Sequence, residues 1–358
     1  MMARFSEILT IINGRNQKQV ENPNGEYPIY GSGGMIGYAD DFICDGETVI
    51  IGRKGNINKP IFVDRPFWNV DTAFGLSAKR DTLLPKYLYY FCEVFDFEKL
   101  NTTVTIPSLT KANLLDIEIK LPSLADQKLI VVLLDKLATL ISLRKQQLVK
   151  LDELVKARSV EMFGKFNQYE PLESYATLIT KGASPTWQGV NYADNGTLFI
   201  TSENVREGYV DLGKRKYLDN RINKIQSRSI LHRKDVLINI VGASIGRAAI
   251  FECDEDANIN QAVALVRVNF QQLNERFLIN YLNSSEALEL YAKMKKGGAR
   301  DNLSLKNIAD LPIPLVPISL QEQFATFMEQ IDKSKLTIQQ GLDKLELLKK
   351  ALMQEYFA

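Results

Sequence analysis

Ser108-Leu109-Thr110-Lys111, Ser123-Leu124-Ala125-Asp126-Gln127 and Glu161-Met162-Phe163 each occur a second time in near copy. The copies are Ser304-Leu305-Lys306-Asn307, Ser319-Leu320-Gln321-Glu322-Gln323 and Glu355-Tyr356-Phe357. The offset is 196 for the first two pairs and 194 for the third, which places a small insertion or deletion between them. At 196, Leu115, Ile117 and Ile119 also meet Leu311, Ile313 and Leu315. Self-similarity at a fixed offset marks an internal duplication. The chain therefore reads as two copies of one unit, roughly 1–164 and 165–358. The upstream parts agree more loosely. Val49-Ile50-Ile51 resembles Val236-Leu237-Ile238, Gly55 sits like Gly242, and Asn69-Val70-Asp71-Thr72-Ala73 resembles Asn258-Ile259-Asn260-Gln261-Ala262. Unit ends more alike than unit bodies suit a shared scaffold that carries two diverged heads.

Each copy ends in a long helical run. Leu124 to Phe163 contains no Pro or Gly. Ile130, Leu134, Leu137, Ile141, Leu148, Leu151, Val155 and Met162 step by alternating four and three, with Arg144 and Arg158 in the interrupted slots. That is a coiled-coil seam. Ser123 and Asp126 supply capping chemistry at its start. The second seam is Phe324, Met328, Ile331, Ile338, Leu342, Leu345, Leu352 and Tyr356, interrupted by Lys335 and Lys349. A helix of about 40 residues is about 60 Å long, and an apolar strip of that length needs a partner. The two copies are the expected partners of each other. The bodies show short β-type runs (Tyr27 to Tyr30, Glu47 to Ile51, Ile61 to Val63, Thr197 to Ile200, Val236 to Ile240, Ala248 to Phe251, Ala262 to Val268), broken by Gly, Asn and Asp turns. Helical stretches follow near Lys86 to Phe95 and Glu275 to Met294. The expected fold is α+β: two pseudo-repeated globular heads, each with a curved antiparallel or mixed sheet, joined by two long antiparallel coiled-coil helices.

Composition and motifs exclude much. Apolar residues make up 45% and charged residues 24%, ordinary for a globular protein. No apolar run reaches the ~18 residues that a membrane helix needs, and no signal-peptide core follows Met1, so a cytoplasmic location is expected. Cys44, Cys92 and Cys253 are scattered and odd in number, which predicts reduced thiols rather than a disulfide or zinc set. The single histidine, His232, lies among basic residues, and there is no Gly-x-Ser-x-Gly elbow. Gly31-Ser32-Gly33-Gly34-Met35-Ile36-Gly37 misses the dinucleotide spacing because Ile36 holds the last glycine slot. Asp116-Ile117-Glu118-Ile119-Lys120 superficially resembles a nuclease acid pattern. Its two acids share one strand-like run, and the second copy has Pro312 and Pro314 there. No base-flipping methyltransferase segment is present. Catalysis, if any, is therefore expected on a partner, and this chain to be non-catalytic. The alternatives are a self-contained nuclease or methyltransferase, or a coiled-coil adaptor without a nucleic-acid role.

Net charge is only +1. Local bias is strong, however: Lys214, Arg215, Lys216, Arg221, Lys224, Arg228, Arg233 and Lys234 face Asp219 alone within 214–234. Such a cluster suits a phosphate-contacting surface as readily as a solvated face.

Tyr27-Pro28-Ile29-Tyr30-Gly31-Ser32-Gly33-Gly34-Met35-Ile36-Gly37-Tyr38, Thr48 to Gly55, and Pro66 to Ala73 resemble the first half of a type I restriction-modification specificity subunit. Asp235 to Arg247 and Asn258 to Ala262 resemble its second half, as does the twice-used apolar-Pro lead into a long helix. The resemblance covers essentially the whole chain. It implies two target-recognition domains, 1–123 and 165–318, each reading half of a bipartite double-stranded DNA site. It implies two spacer helices, 124–164 and 319–358, that set the separation and dock two methyltransferase subunits and a motor-nuclease subunit. No cofactor is expected on this chain; the partners would bring S-adenosylmethionine, ATP and magnesium. One departure is that Met1 leads almost directly into the first head, so any extra N-terminal helix of some relatives is expected to be missing or minimal.

On that resemblance, polar and basic loop side chains are the expected DNA contacts. Head one offers Arg53, Lys54, Asn56, Asn58 and Lys59. Head two offers Ser184, Thr186 and Trp187, then Ser202, Asn204 and Arg206, Lys214, Arg215 and Lys216, and Ser244 and Arg247. Lys293, Lys295, Lys296 and Arg300, flanking Gly297-Gly298, are expected to form a mobile phosphate clamp.

Overall fold

The computed structural model describes residues 1–100, 108–294 and 302–357. They group into two compact units: 1–148 with 337–358, and 149–336. Compactness thus cuts the chain differently from a division along its length, because each unit holds a head and a segment of each long helix. The long helices are Leu124–Phe163 and Ile318–Phe357, 40 residues each. Every seam position expected in them is buried or half-buried.

In the first unit, one sheet runs in the order Leu9–Asn13, Ala73–Ala78, Thr48–Gly52, Ile61–Val63, antiparallel throughout. A second sheet joins the hairpin Tyr27–Gly31 and Gly34–Ala39 to the parallel strand Trp68–Asn69. Thr48–Gly52 is buried on both faces, as expected for a central strand with a continuous Val-Ile-Ile run. Helix Pro85–Val94 starts with Pro at its first turn, where the missing N–H leaves nothing unpaired, and buries Tyr87, Leu88 and Phe91 against the sheet. The first segment of one long helix and the last of the other close this core through Leu134, Leu137, Met353 and Phe357. Lys145 pairs with Glu346, and the helices run antiparallel here, since Leu134 and Phe357 lie in one cluster further along.

The second unit repeats the plan. Its main sheet runs Ala176–Lys181, Val263–Val268, Val236–Asn239, Ala248–Ile250, with Gly208–Tyr209 added in parallel. A smaller mixed sheet is built on Thr197–Ile200 and Ala257–Ile259. The expected helical stretch near 275–294 is two helices, Glu275–Leu282 and Ser285–Met294. The break falls at Asn283-Ser284: the Ser284 hydroxyl accepts from the Ala287 N–H, and the Asn283 amide bonds the Ala248 backbone on both its N–H and its C=O. Phe163 sits edge-on to Phe277 and Phe324, and Asp152 pairs with Lys335, so the helix segments are antiparallel here as well. The run Glu118–Lys120 is a strand paired with Met2–Arg4. Ile117 and Ile119 are buried, while Glu118 and Lys120 are exposed at the joint between head and helix. Its repeat counterpart, Pro312–Pro314, pairs with Tyr169–Pro171 in the same way.

One expected register needs correction. Gln127 was matched with Gln323, but Gln323 is exposed and the buried glutamine of the second copy is Gln321. The Gln127 N–H donates to the Ser123 C=O, and the Gln321 N–H to the Pro317 C=O. The offset is already 194 before the helix: Leu109 and Leu303 make equivalent backbone bonds, Thr110 and Ser304 cap equivalent short helices, and Glu118–Lys120 matches Pro312–Pro314. The matches of Ser108 with Ser304, Leu115 with Leu311, Ile117 with Ile313, Ile119 with Leu315 and Ser123 with Ser319 are therefore all two residues out.

Candidate nucleic-acid interface

In both heads the first strand of the main sheet ends at a glycine that nothing larger could replace. A Cβ on Gly14 would stand 1.8 Å from the Val70 carbonyl oxygen, and one on Gly182 would stand 1.8 Å from that of Ile259. The chain leaves these points into loops of different chemistry. Head one continues into Arg15-Asn16-Gln17-Lys18, whose Asn16 side chain caps the Lys18 N–H. Head two continues into Ser184-Pro185-Thr186-Trp187, turned by Gly189 at φ +65°. Trp187 is 90% exposed and Thr186 exposed, while Ser184 is half-buried. Arg15 and Lys18, both exposed, were missed by sequence reasoning. The signal was available: the loop after the first strand in one copy implies the same loop in the other.

The central strands also end alike. Gly55 has φ +78° and Gly242 φ +83°, and each looks into open space. The Leu109 N–H donates to the Arg53 C=O, and the Leu303 N–H to the Ile240 C=O, so both loops are tied at the same backbone position. The hairpin tip of head one lies against this loop, because a Cβ on Gly52 would stand 3.0 Å from that of Ser32. Arg53, Lys54, Asn56 and Lys59 are exposed around it, and the Arg53 guanidinium lies 5.8 Å from the Phe74 ring centroid. Met35 and Ile36 follow the hairpin tip and are exposed, which sequence reasoning also passed over. Asn58 has a different task. Its amide donates to Asp96 (3.1 Å) and accepts from the Phe97 N–H (2.7 Å), holding the loop to the body.

Head two brings fewer of its expected readers to the surface. Asn204 is buried; it accepts from the Thr201 N–H and hydroxyl and donates to the Asp211 and Lys214 carbonyls. It builds the turn rather than facing outward. Ser244 accepts from the Asn239 amide, and Ser202 is half-buried, its carbonyl accepting from the same amide. Arg247 is half-buried beside them. Lys295, Lys296 and Arg300 lie outside the described residues.

The basic cluster is less cationic than its sequence. Arg215 pairs with Glu255, Lys216 with Glu203, Arg221 with Asp219, Arg233 with Asp254 and Lys234 with Glu275. Arg206 pairs with Asp211. The hydrogen bonds that the Arg215 guanidinium donates to Tyr217 and Glu255 hold it more firmly charged than usual, and the Arg221 backbone and side chain lower Asp219. Glu203, Asp254, Glu255 and Glu275, which hold four of the cluster's cations, lie outside 214–234, so counting only Asp219 overstated the bias. Lys214, Lys224 and Arg228 are exposed and form no ion pair among the described residues. Cys44 and Cys92 are buried and Cys253 half-buried, all as free thiols; burial pushes Cys44 up to about 12. Among the described residues, no three His, Cys, Asp or Glu side chains gather as a metal site, and no helix is long and apolar enough to cross a membrane.

A family model described as the type I restriction modification DNA specificity domain matches residues 1–153 and 181–347. The chain is 24% identical over 347 residues to the type I restriction enzyme EcoBI specificity subunit of Escherichia coli, covering 87% of this chain and 73% of that one. It is 21% identical to a putative type I restriction enzyme specificity subunit of Haemophilus influenzae, covering 94% and 89%. Its fold is similar to that of a type I restriction-modification S subunit from M. genitalium, with TM-score 0.65 and 14% identity over 100% and 96% of the two chains. A second structure, from work on complex assembly and conformational transition of the type I R-M system, matches with TM-score 0.61 and 17% identity over 100% and 97%.

Proposed function

Because the chain belongs to the type I restriction modification DNA specificity family and is a specificity subunit of that system, we propose that each head reads one half of a split double-stranded DNA site. One observation carries this reading. The same backbone sites, Gly14 with Gly182 and Gly55 with Gly242, launch loops of unlike side chains from like scaffolds. Base edges are distinguished by donors, acceptors and methyl contacts, so a constant frame with variable loops is what two different half-sites require. Arg15, Lys18, Arg53, Lys54, Asn56 and Lys59 are the contacts in head one. In head two they are Thr186, Trp187, Ser244, Arg247 and Lys214, and the sequence adds Lys295, Lys296 and Arg300 to the candidates.

The long helices set the spacing and dock the partners. Their outward faces support this. Leu129, Val132, Leu133, Leu140 and Leu143 are exposed on one side of the first helix, opposite the seam. Apolar residues at that spacing suit a face that another protein covers. The partners are two methyltransferase subunits, which bring S-adenosylmethionine, and a motor-nuclease subunit, which brings ATP and magnesium. This chain performs no chemistry itself, and the complex works in the cytoplasm.

The reading is tested by reconstituting the full chain with its methyltransferase subunits and mapping methylated bases on random-sequence DNA. One split motif is expected, with tight binding that weakens steeply as salt rises. Absence of any sequence preference at low and high salt would overturn it, as would methyl transfer or cleavage by this chain alone.

A further inference from the structure

We propose that the first core helix of each head is the joint that fixes the head's orientation on the long helices, and that Gln127 and Gln321 are the positioning residues that make half-site separation strict. The proposal rests on the specificity-subunit reading above.

Both glutamines are buried in the first turns of the long helices. The Gln127 carbonyl accepts from the Leu84 N–H at 2.9 Å, and its amide donates to the Thr82 carbonyl at 2.9 Å and the Pro122 carbonyl at 3.0 Å. Leu84 immediately precedes the head helix Pro85–Val94. The Gln321 carbonyl accepts from the Asn274 N–H at 2.9 Å, and its amide donates to the Val316 carbonyl at 2.8 Å. Asn274 immediately precedes the head helix Glu275–Leu282. In each copy one side chain therefore binds the start of the head helix to the start of the long helix.

The joint has a second bond further along and a third to the other long helix. Lys86 and Tyr90 both bond Asp135, at 2.7 and 2.6 Å, and Glu93 pairs with Lys349 at 3.0 Å. In the second copy Arg276 pairs with Asp332 at 2.9 Å, and the Asn280 amide donates to the Ser159 hydroxyl at 2.7 Å. The residue types differ, but the three-point attachment recurs. Apolar attraction is non-directional, whereas directional polar bonds in a low-dielectric joint favour one angle. Successive base pairs lie about 3.4 Å apart along the duplex, so a small roll at the joint, carried out to the recognition loops, changes which spacing a head pair accepts. The loops choose bases; the joints make the distance between them strict.

The test uses the full chain with its methyltransferase subunits. The wild-type motif is first mapped by methylation, and binding is then measured on duplexes carrying that motif with the spacer changed by one or two base pairs. Wild type is expected to lose tenfold or more for one base pair. Gln127→Ala with Gln321→Ala is expected to methylate the same half-site bases but to lose threefold or less for that change. Should this pair fail to fold by melting, Asp135→Asn keeps the side-chain shape, removes the charge that holds Lys86, and is expected to broaden the profile in the same direction. Variant spacer profiles that superpose on wild type, with affinity lowered equally at every spacing, would overturn the joint while leaving the specificity reading intact. A wild-type complex without a split motif overturns both.

Discussion

In the first head, strand Thr48–Gly52 runs into Arg53-Lys54-Gly55; in the second, Val236–Asn239 runs into Ile240-Val241-Gly242. The two turns share a left-handed glycine and a backbone tie, yet one displays two cations, while in the other Ile240 is buried in the core and Val241 alone is exposed. The strands themselves differ at their first turns. Thr48 donates its hydroxyl to the Asp45 carbonyl. At the matching place Asp235 is buried and bonded twice by Arg267, at 2.8 and 2.7 Å, and it accepts from the His232 N–H. The long-helix ends, by contrast, agree: Phe163 packs on Phe277 and Phe324, and Phe357 on Tyr87 and Phe91. The copies stay alike where a head must sit on a helix and differ where loops meet solvent. A duplicated scaffold can change its reading surface freely only if its joints are left alone.

That comparison can be broken at three places. The largest effect is expected at the helix ends. Phe163→Ala and Phe357→Ala should each cost about 3–5 kcal/mol, measured by urea unfolding. Costs that differ by more than twofold would show that the two ends are not equivalent. A smaller and deliberately unequal effect is expected at the strand starts. Asp235→Ala should cost about 3 kcal/mol, the low end for a broken buried pair because Arg267 keeps about a quarter of its side chain in water. Thr48→Ala should cost about 1 kcal/mol. Equal losses in the two variants would erase the distinction drawn here. The smallest effect is expected in the basic cluster. Neutralising Lys214, Lys224 and Arg228 should flatten the dependence of log binding constant on log salt by up to about 0.9 per lost phosphate contact. Neutralising Arg215, Lys216 and Arg221 should flatten it less, because acids already hold those cations. The reverse order would put the DNA backbone on the paired side.

Much of the fold was legible because its signals are local. Heptad spacing is a property of consecutive residues, and both seams lie buried or half-buried where the spacing placed them. The Val-Ile-Ile and Val-Leu-Ile runs became central strands because a continuous apolar run suits a strand covered on both faces. The Gln127–Gln323 match failed for an equally physical reason. A glutamine two places away has the same composition but points to another face of the helix, and the Leu84 and Asn274 N–H groups decide which one is buried. The candidate loops contain residues whose side chains the fold uses for itself. Asn58 and Asn204 look like base readers in sequence, but amides also bond backbone: Asn58 ties its loop to Phe97, and Asn204 closes a turn.

The sequence by itself determined the duplication, the two long helices, the α+β heads and the lack of a catalytic motif, since repeats, periodicity and spacing are written along the chain. Only the tertiary structure decided which charges are free and which glutamine holds each joint. Glu203, Asp254, Glu255 and Glu275 reach their cations across turns and strands that no window of sequence contains. Pairing depends on distance in space, and a net charge read along the chain cannot know which partners folding will bring within bonding reach.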